Sequence, residues 1–300
     1  MRTLRSLSKS RAFAGAVLAA IAIGAGVNSG LYSVVDLILK RTLPLPDLPR
    51  LIWIEETNRS ERTGGTTVAA LDAKEWIAES RSLEGVGIFR NFTHTILTEG
   101  RRTRVDGAEC SKELFPVLGL KPRLGRWFTR AEESSSAQVV VIDEEYWKER
   151  YGADPSVIGK QVLDADWGFP NTIIGVAPRS PLWTMLKIPP PALYFAVPYD
   201  NRSAGRAGQF FSIGKLTLSA SVDSAKAELR VLAARLAAHD PATNLGVGVK
   251  VAPLADTVAG VAGAPARLLL AASLAVSLLA LTGLMQLLAA RVRWRSGEGA

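Results

Sequence analysis

Cysteine is almost missing from these 300 residues: Cys110 is the only one. No intrachain disulfide can form, and a cysteine-rich metal site is excluded. A small stapled secreted scaffold is excluded with it. A middle region of about 220 residues is long enough to build its own hydrophobic core, and Cys110 reads as a small packed residue. Histidine is nearly as scarce. His94 and His239 are the only two, far apart in sequence, and neither lies in an HExxH pattern. No Gly-x-Ser-x-Gly elbow and no Gly-x-x-x-x-Gly-Lys-[Ser/Thr] loop occurs. His239 falls at a helix end, where it is solvated or meets the helix dipole.

Other patterns begin like sites and fail. Gly24-x-Gly26-x-x-Ser29 lacks the third glycine of the dinucleotide motif and lies inside an apolar run. There the glycines read as helix-packing positions in lipid. "DADWGFPNTIIG" opens like a calcium loop at Asp164 and Asp166. It then places Phe169 where the sharp-turn glycine belongs and Gly175 where the bidentate glutamate belongs. The pairs Glu55–Glu56, Glu132–Glu133 and Glu144–Glu145 are neighbours whose side chains point apart, so they read as solvated faces. Trp76, Trp127, Trp147, Trp167 and Trp183 read as core and interface anchors. No catalytic, cofactor-binding or metal-ligating residue is predicted, no cofactor is expected, and the protein is not expected to be an enzyme.

What the sequence does have is apolar length, 48% of it hydrophobic. One long apolar segment runs over residues 12–39 and a second over residues 266–290, "ARLLLAASLAVSLLALTGLMQLLAA". Each meets the roughly 20 residues that a membrane span needs. A cleaved leader is a poor account of the first, because Leu31 to Leu39 resume the run after Asn28, Ser29 and Gly30. The net charge of +8 does not mark a nucleic-acid surface. Arg2, Arg5, Lys9 and Arg11 precede the first segment without an acid; Arg291, Arg293 and Arg295 follow the second with only Glu298. By the positive-inside rule both termini face the cytoplasm. Lys40 and Arg41 flank the first segment on the other side and run against the rule, but both tails agree.

Between the segments the pattern is α+β. "TLPLPDLPR" (residues 42–50) ends the first helix, and "LIWIEET" follows as a strand. Ala69, Ala73, Trp76 and Ile77 set an amphipathic helix over residues 68–80. Strands are predicted at residues 86–92, 104–109, 139–142, 171–176 and 211–218, with a short helix over 143–152 closed by glycine. Asp223 or Ser224 caps a helix whose apolar face is Ala225, Leu229, Leu232, Ala233 and Leu236. Pro241 stops it, and "VGVKV" alternates as a last strand. Strand, helix, strand at both ends implies that the ends pack together around a β-rich insert, which suits a domain tethered to a membrane at both ends.

Several stretches are similar, in order, to the N-terminal part of MacB-like ABC transporter permeases, in the superfamily that carries FtsX-like domains. They are "GAGVNSGLYSVVDLILKRTLPLPD", "LFPVLGLKPRLGRWFT", "VVVIDEEYWKERYGADPSVIGKQV", "TIIGVAP" and "SASVDSAKAELRVLAARLAAHDPATN". Thr42 stands where that family usually has proline, and the chain reaches "ARVRWRSGEGA", where such permeases continue into a coupling region and further helices. The resemblance implies a basic cytoplasmic tail at 1–11, transmembrane helices at 12–39 and 266–290, a periplasmic core domain at 40–265 and a second basic tail at 291–300. Within the core it implies a porter-like lobe over about 50–118 and 208–258 and an inserted lobe over about 119–207. The implied function is the periplasmic core and anchor of an ABC-type exporter in the cell inner membrane, driven by a cytoplasmic ATPase in trans. The implied partners are a second copy or second permease chain, a periplasmic adaptor and membrane lipid, with no nucleic acid. The alternatives are a stand-alone tethered binding or scaffold module, or a fragment of a longer permease.

Overall fold

A computed structural model describes residues 45–58, 67–98, 101–134, 137–197 and 209–260, with single helical positions at 271, 273, 275, 278, 282 and 286. The chain divides into one unit of Thr42–Val258 and another of Met1–Arg41 with Ala259–Ala300. The first predicted span and both basic tails lie outside the described residues, and so does the second span apart from those single positions. Among the described residues no helix is long and apolar enough to cross a membrane.

The unit Thr42–Val258 is organised by one mixed sheet. Strand β1 (Leu51–Asn58) lies between the two last long strands of the chain. On one side it pairs antiparallel with β11 (Val247–Pro253), Ile52 opposite Pro253; on the other with β10 (Gln209–Leu216), Leu51 opposite Lys215. The first and last strands of the unit are therefore neighbours. Alternation along β1 sends its side chains to two cores. Ile52 and Ile54 join Val68, Trp76, Leu229 and Val251, whereas Leu51 and Trp53 join Phe89, Leu114 and Trp183.

Two helices cover the first face. Helix α1 (Ala70–Glu79) buries Ala73 and Trp76, and α6 (Val222–His239) buries Ala225, Leu229, Leu232 and Ala233. Each fully buried large apolar side chain contributes about 1.5–3 kcal/mol. The predicted helix over 68–80 begins later because Val68 and Ala69 form a two-residue strand, β2, against β10. Helix α6 is capped two or three residues earlier than expected, at Ser221 rather than Asp223 or Ser224. The Ser221 hydroxyl accepts from the amide of Ser224 at 3.1 Å, and the amide of Ser221 donates to the Ser224 hydroxyl at 2.9 Å. This reciprocal pair satisfies two backbone donors at the helix start. The Glu228 carboxylate, on the same helix, accepts from the amides of Arg81 at 2.8 Å and Ser82 at 2.9 Å, fixing the turn after α1.

That turn leads into β3 (Leu83–Thr98), the longest strand, which runs through both halves of the sheet. Its first half pairs with β10 and its second with β4 (Arg101–Cys110), Phe89 opposite Cys110 and Thr98 opposite Arg101. Beside it packs the short helix α2 (Leu114–Val117). A Cβ at Gly87 would come within 2.5 Å of the Leu114 Cα, so this close approach requires glycine.

The insert builds the rest of the sheet. Residues 124–125 form β5 and 130–134 form α3. Strand β6 (Val139–Asp143) leads into α4 (Glu144–Tyr151), which Asp143 caps and Gly152 closes at φ 61°. Strands β7 (Gln161–Asp164) and β8 (Phe169–Ala177) form a hairpin, α5 (Pro181–Met185) follows, and β9 (Leu193–Ala196) runs parallel to β4. The third core gathers Val140, Ile142, Val162, Ile173 and Phe195 from these strands, with Ile96, Phe92 and Val105 from the β3–β4 hairpin. After α6 come α7 (Pro241–Asn244) and β11.

Candidate functional site

Two places in Thr42–Val258 concentrate polar chemistry. The first lies where the chain enters β1. Residues 48–50 form a short 3-10 turn, and Arg50 reaches back from it. Arg50 Nε donates to the Leu216 carbonyl at 2.8 Å, and Nη2 stands 2.5 Å from Glu84. Lys215 Nζ lies 2.9 Å from Asp47 and 3.5 Å from Glu84. Hydrogen bonding to Lys215 holds the Asp47 carboxyl below its ordinary range, and the Arg50 contact does the same for Glu84. This network ties the incoming segment to the end of β10 and the start of β3.

The second place is on the distal half of β3. The pairing of Ile96 with Asp164 brings the β7–β8 turn against His94. His94 Nδ1 lies 2.6 Å from Asp164 Oδ2, and both side chains are almost wholly buried, 4% and 1% exposed. The other oxygen, Asp164 Oδ1, accepts from the amides of Asp166 at 2.8 Å and Trp167 at 3.0 Å. Asp166 is exposed and accepts from the Thr95 amide at 2.6 Å. Three rings enclose the imidazole: Phe92 at 4.0 Å, Trp167 at 4.4 Å and Phe195 at 4.8 Å between centroids. Burial pushes the His94 imidazole below its ordinary pKa, against the pull of Asp164, Asp166 and Glu109. The imidazole and the two carboxylates are the one group of three or more metal-type ligands among the described residues, their ligand atoms all within 4.8 Å.

The positions weighed in the sequence thus separate. Asp164 and Asp166, which open like a calcium loop in the sequence, meet His94 in the structure, a residue that no spacing along the chain joins to them. His239 sits at the exposed end of α6, on a cavity of about 380 Å³ lined also by Glu75, Trp76 and Arg235. Cys110 is buried, and burial pushes its thiol well up. Trp76 and Trp183 are core residues at 1% exposure, whereas Trp167 is exposed.

Two of the acidic neighbours are not on solvated faces. Glu55 is buried, accepting from Trp53 Nε1 at 2.9 Å and meeting Lys250 at 2.9 Å. Glu133 is buried and accepts from the Lys112 amide at 2.6 Å. Burial pushes its carboxyl up to about 7, while Arg126 pulls that of its neighbour Glu132 down to about 2. The sign differs because adjacent side chains point to different surroundings. Glu133 lines a cavity of about 200 Å³ with Lys74, Lys112 and Arg130.

The family model for the MacB-like periplasmic core domain matches residues 14–232. Among solved structures, the periplasmic region of MacB from Actinobacillus actinomycetemcomitans is 20% identical, covers 70% of this chain and 90% of its own, and superposes with a TM-score of 0.50. A domain assigned to a permease protein of Porphyromonas gingivalis is 13% identical, covers 70% of this chain and 92% of its own, and gives a TM-score of 0.53. At these identities the likeness shows the fold alone. No curated protein matches.

Proposed function

The chain belongs to the family of MacB-like periplasmic core domains, and from that membership we propose that it is the extracytoplasmic core and membrane anchor of an ABC-type export permease. In this reading residues 12–39 and 266–290 are the two anchors, both termini are cytoplasmic, and the domain between them stands outside the inner membrane. A separate cytoplasmic ATPase supplies the work. A second copy or a second permease chain completes the assembly, and a periplasmic adaptor receives the motion outside. The protein acts mechanically and carries out no covalent chemistry.

The pairing of β1 with β11 is the observation that best supports this reading. The strands next to the two predicted anchors lie side by side, so a relative shift of the anchors would shear adjacent strands of one sheet. The Arg50–Glu84–Lys215–Asp47 network stiffens the incoming connection, so displacement there passes to β3 and β10. Strand β3 runs on from that network into the insert, giving a continuous route across the domain.

The test is affinity purification of the full chain from its native membrane with mild cross-linking. Recovery of an ABC ATPase, with ATP hydrolysis raised by the chain, is the expected outcome. Absence of any ATPase, with the protein's cellular role intact after each candidate ATPase is deleted, would replace this reading with a stand-alone tethered module.

A further inference from the structure

We propose that the open edge of β4, residues 101–105, binds an extended acidic segment of a partner protein. The segment adds to the sheet as a further strand, with its carboxylates beside Arg102 and Arg104. The inference depends only on this edge and holds whether or not the chain serves an exporter.

The hydrogen bonding of β4 carries the argument. One side of the strand pairs with β3 along its whole length, from Arg101 opposite Thr98 to Cys110 opposite Phe89. The other side pairs with β9 only from Gly107 to Cys110. On that side the Asp106 carbonyl accepts from the Ala192 amide at 2.8 Å, and the Cys110 carbonyl from the Val197 amide at 3.1 Å. Backbone groups alternate along a strand, so Arg102 and Arg104 turn theirs to the same side. Among the described residues no strand lies opposite them there. The chain's own approach to β9 does not fill the gap. Pro189, Pro190 and Pro191 precede Ala192 and bring no N–H to a ladder. The Asn91 side-chain amide holds the Pro189 carbonyl at 3.3 Å, beside the closed part of the hairpin. The far edge of β3, by contrast, is covered by β7 at Ile96 and Leu97. A row of unpaired strand groups is a template for another strand.

The side chains select the occupant. Arg101, Arg102 and Arg104 are exposed and form no ion pair among the described residues. Arg102 stands opposite Leu97 and Arg104 opposite Thr95, so both guanidinium groups rise from one face. A strand laid along the edge places every second side chain beside them, where opposite charges attract and like charges repel. A second copy of this edge would set arginine against arginine, which excludes the chain itself as occupant. Asp106 closes the edge at one end, and Asp166, on which Arg102 acts, is held by the Thr95 amide. Glu99 precedes the edge in sequence, outside the described residues, and no acid lies within 101–105. Lipid headgroups and free phosphate carry the complementary charge but have no backbone to pair.

The test uses the full chain in detergent and a fluorescent peptide of alternating glutamate and threonine. Anisotropy should show saturable binding that weakens as salt rises. Amide exchange should slow at residues 101–105 when the peptide is bound. The matching lysine–threonine peptide should not bind. Arg102→Glu combined with Arg104→Glu should weaken binding at least about tenfold, whereas Arg102→Lys combined with Arg104→Lys should retain most of it. Both positions are exposed, and an unchanged unfolding midpoint would show that the variants fold. Absence of saturable binding, binding without slower exchange at 101–105, or binding unchanged in the double glutamate variant would each overturn the proposal. So would displacement of the peptide by phosphatidylglycerol in mixed micelles, which would mark a lipid site.

Discussion

Arg50 and Leu216 are joined across the sheet: Arg50 Nε donates to the Leu216 carbonyl at 2.8 Å, one residue beyond Lys215, which itself meets Asp47. The guanidinium thus serves a backbone acceptor and the Glu84 carboxylate together. Replacing it leaves the carbonyl at the end of β10 without this donor.

Arg50→Met is therefore expected to lower stability by about 1–2 kcal/mol, the worth of a charge-assisted hydrogen bond to a part-buried acceptor. Amide exchange should rise at residues 48–52 and 214–217 before it rises elsewhere. Denaturant unfolding followed by tryptophan fluorescence gives the first number, and exchange mass spectrometry the second. Uniform loss of protection across the domain would argue against a local clamp.

Glu133 gives a pH prediction. Burial raises its carboxyl in the folded state from 4.5 to about 7. Between those values the folded chain holds a proton that the unfolded chain releases, so this residue's contribution falls as pH rises through the window. Glu133→Gln keeps an oxygen for the Lys112 amide and removes the titration. The variant should match the parent near pH 4 and exceed it by about 2–3 kcal/mol near pH 8. Parallel stability profiles from pH 4 to 8 check this, and a constant difference would show that the carboxyl is not shifted.

Gly87 and Gly85 make a matched pair. A Cβ at Gly87 meets the backbone of Leu114 at 2.5 Å, whereas one at Gly85 meets the Val117 Cγ2 at 3.3 Å. Gly87→Ala should cost about 1–3 kcal/mol by overpacking, and Gly85→Ala clearly less, because a side-chain methyl can yield where backbone cannot. Midpoints of denaturant unfolding for the two variants decide it.

Much of the architecture was legible because it rests on local periodicity. Leu229, Leu232 and Ala233 on α6 and the alternation of β11 announce themselves through spacing that the helix and strand repeats impose, and β1 and β6 through short continuous apolar runs. The cap of α6 was misplaced by a few residues, since Ser221, Asp223 and Ser224 all have capping chemistry and only the backbone path selects among them. The burial of Glu55 and Glu133 was not legible. Each is flanked by a more exposed acid of the same type, and which of two neighbours turns inward depends on packing from distant segments.

The sequence alone determined the α+β character, the ordered family motifs, the apolar segments and the absence of any local catalytic motif, because each is written in residues close together along the chain. Only the tertiary structure decided that β1 and β11 are neighbours, that β3 serves both halves of the sheet, and that His94 faces Asp164. These relationships are set by the register of strands far apart in sequence, where a shift of one residue would turn His94 to the opposite face. No spacing within a single segment carries that information.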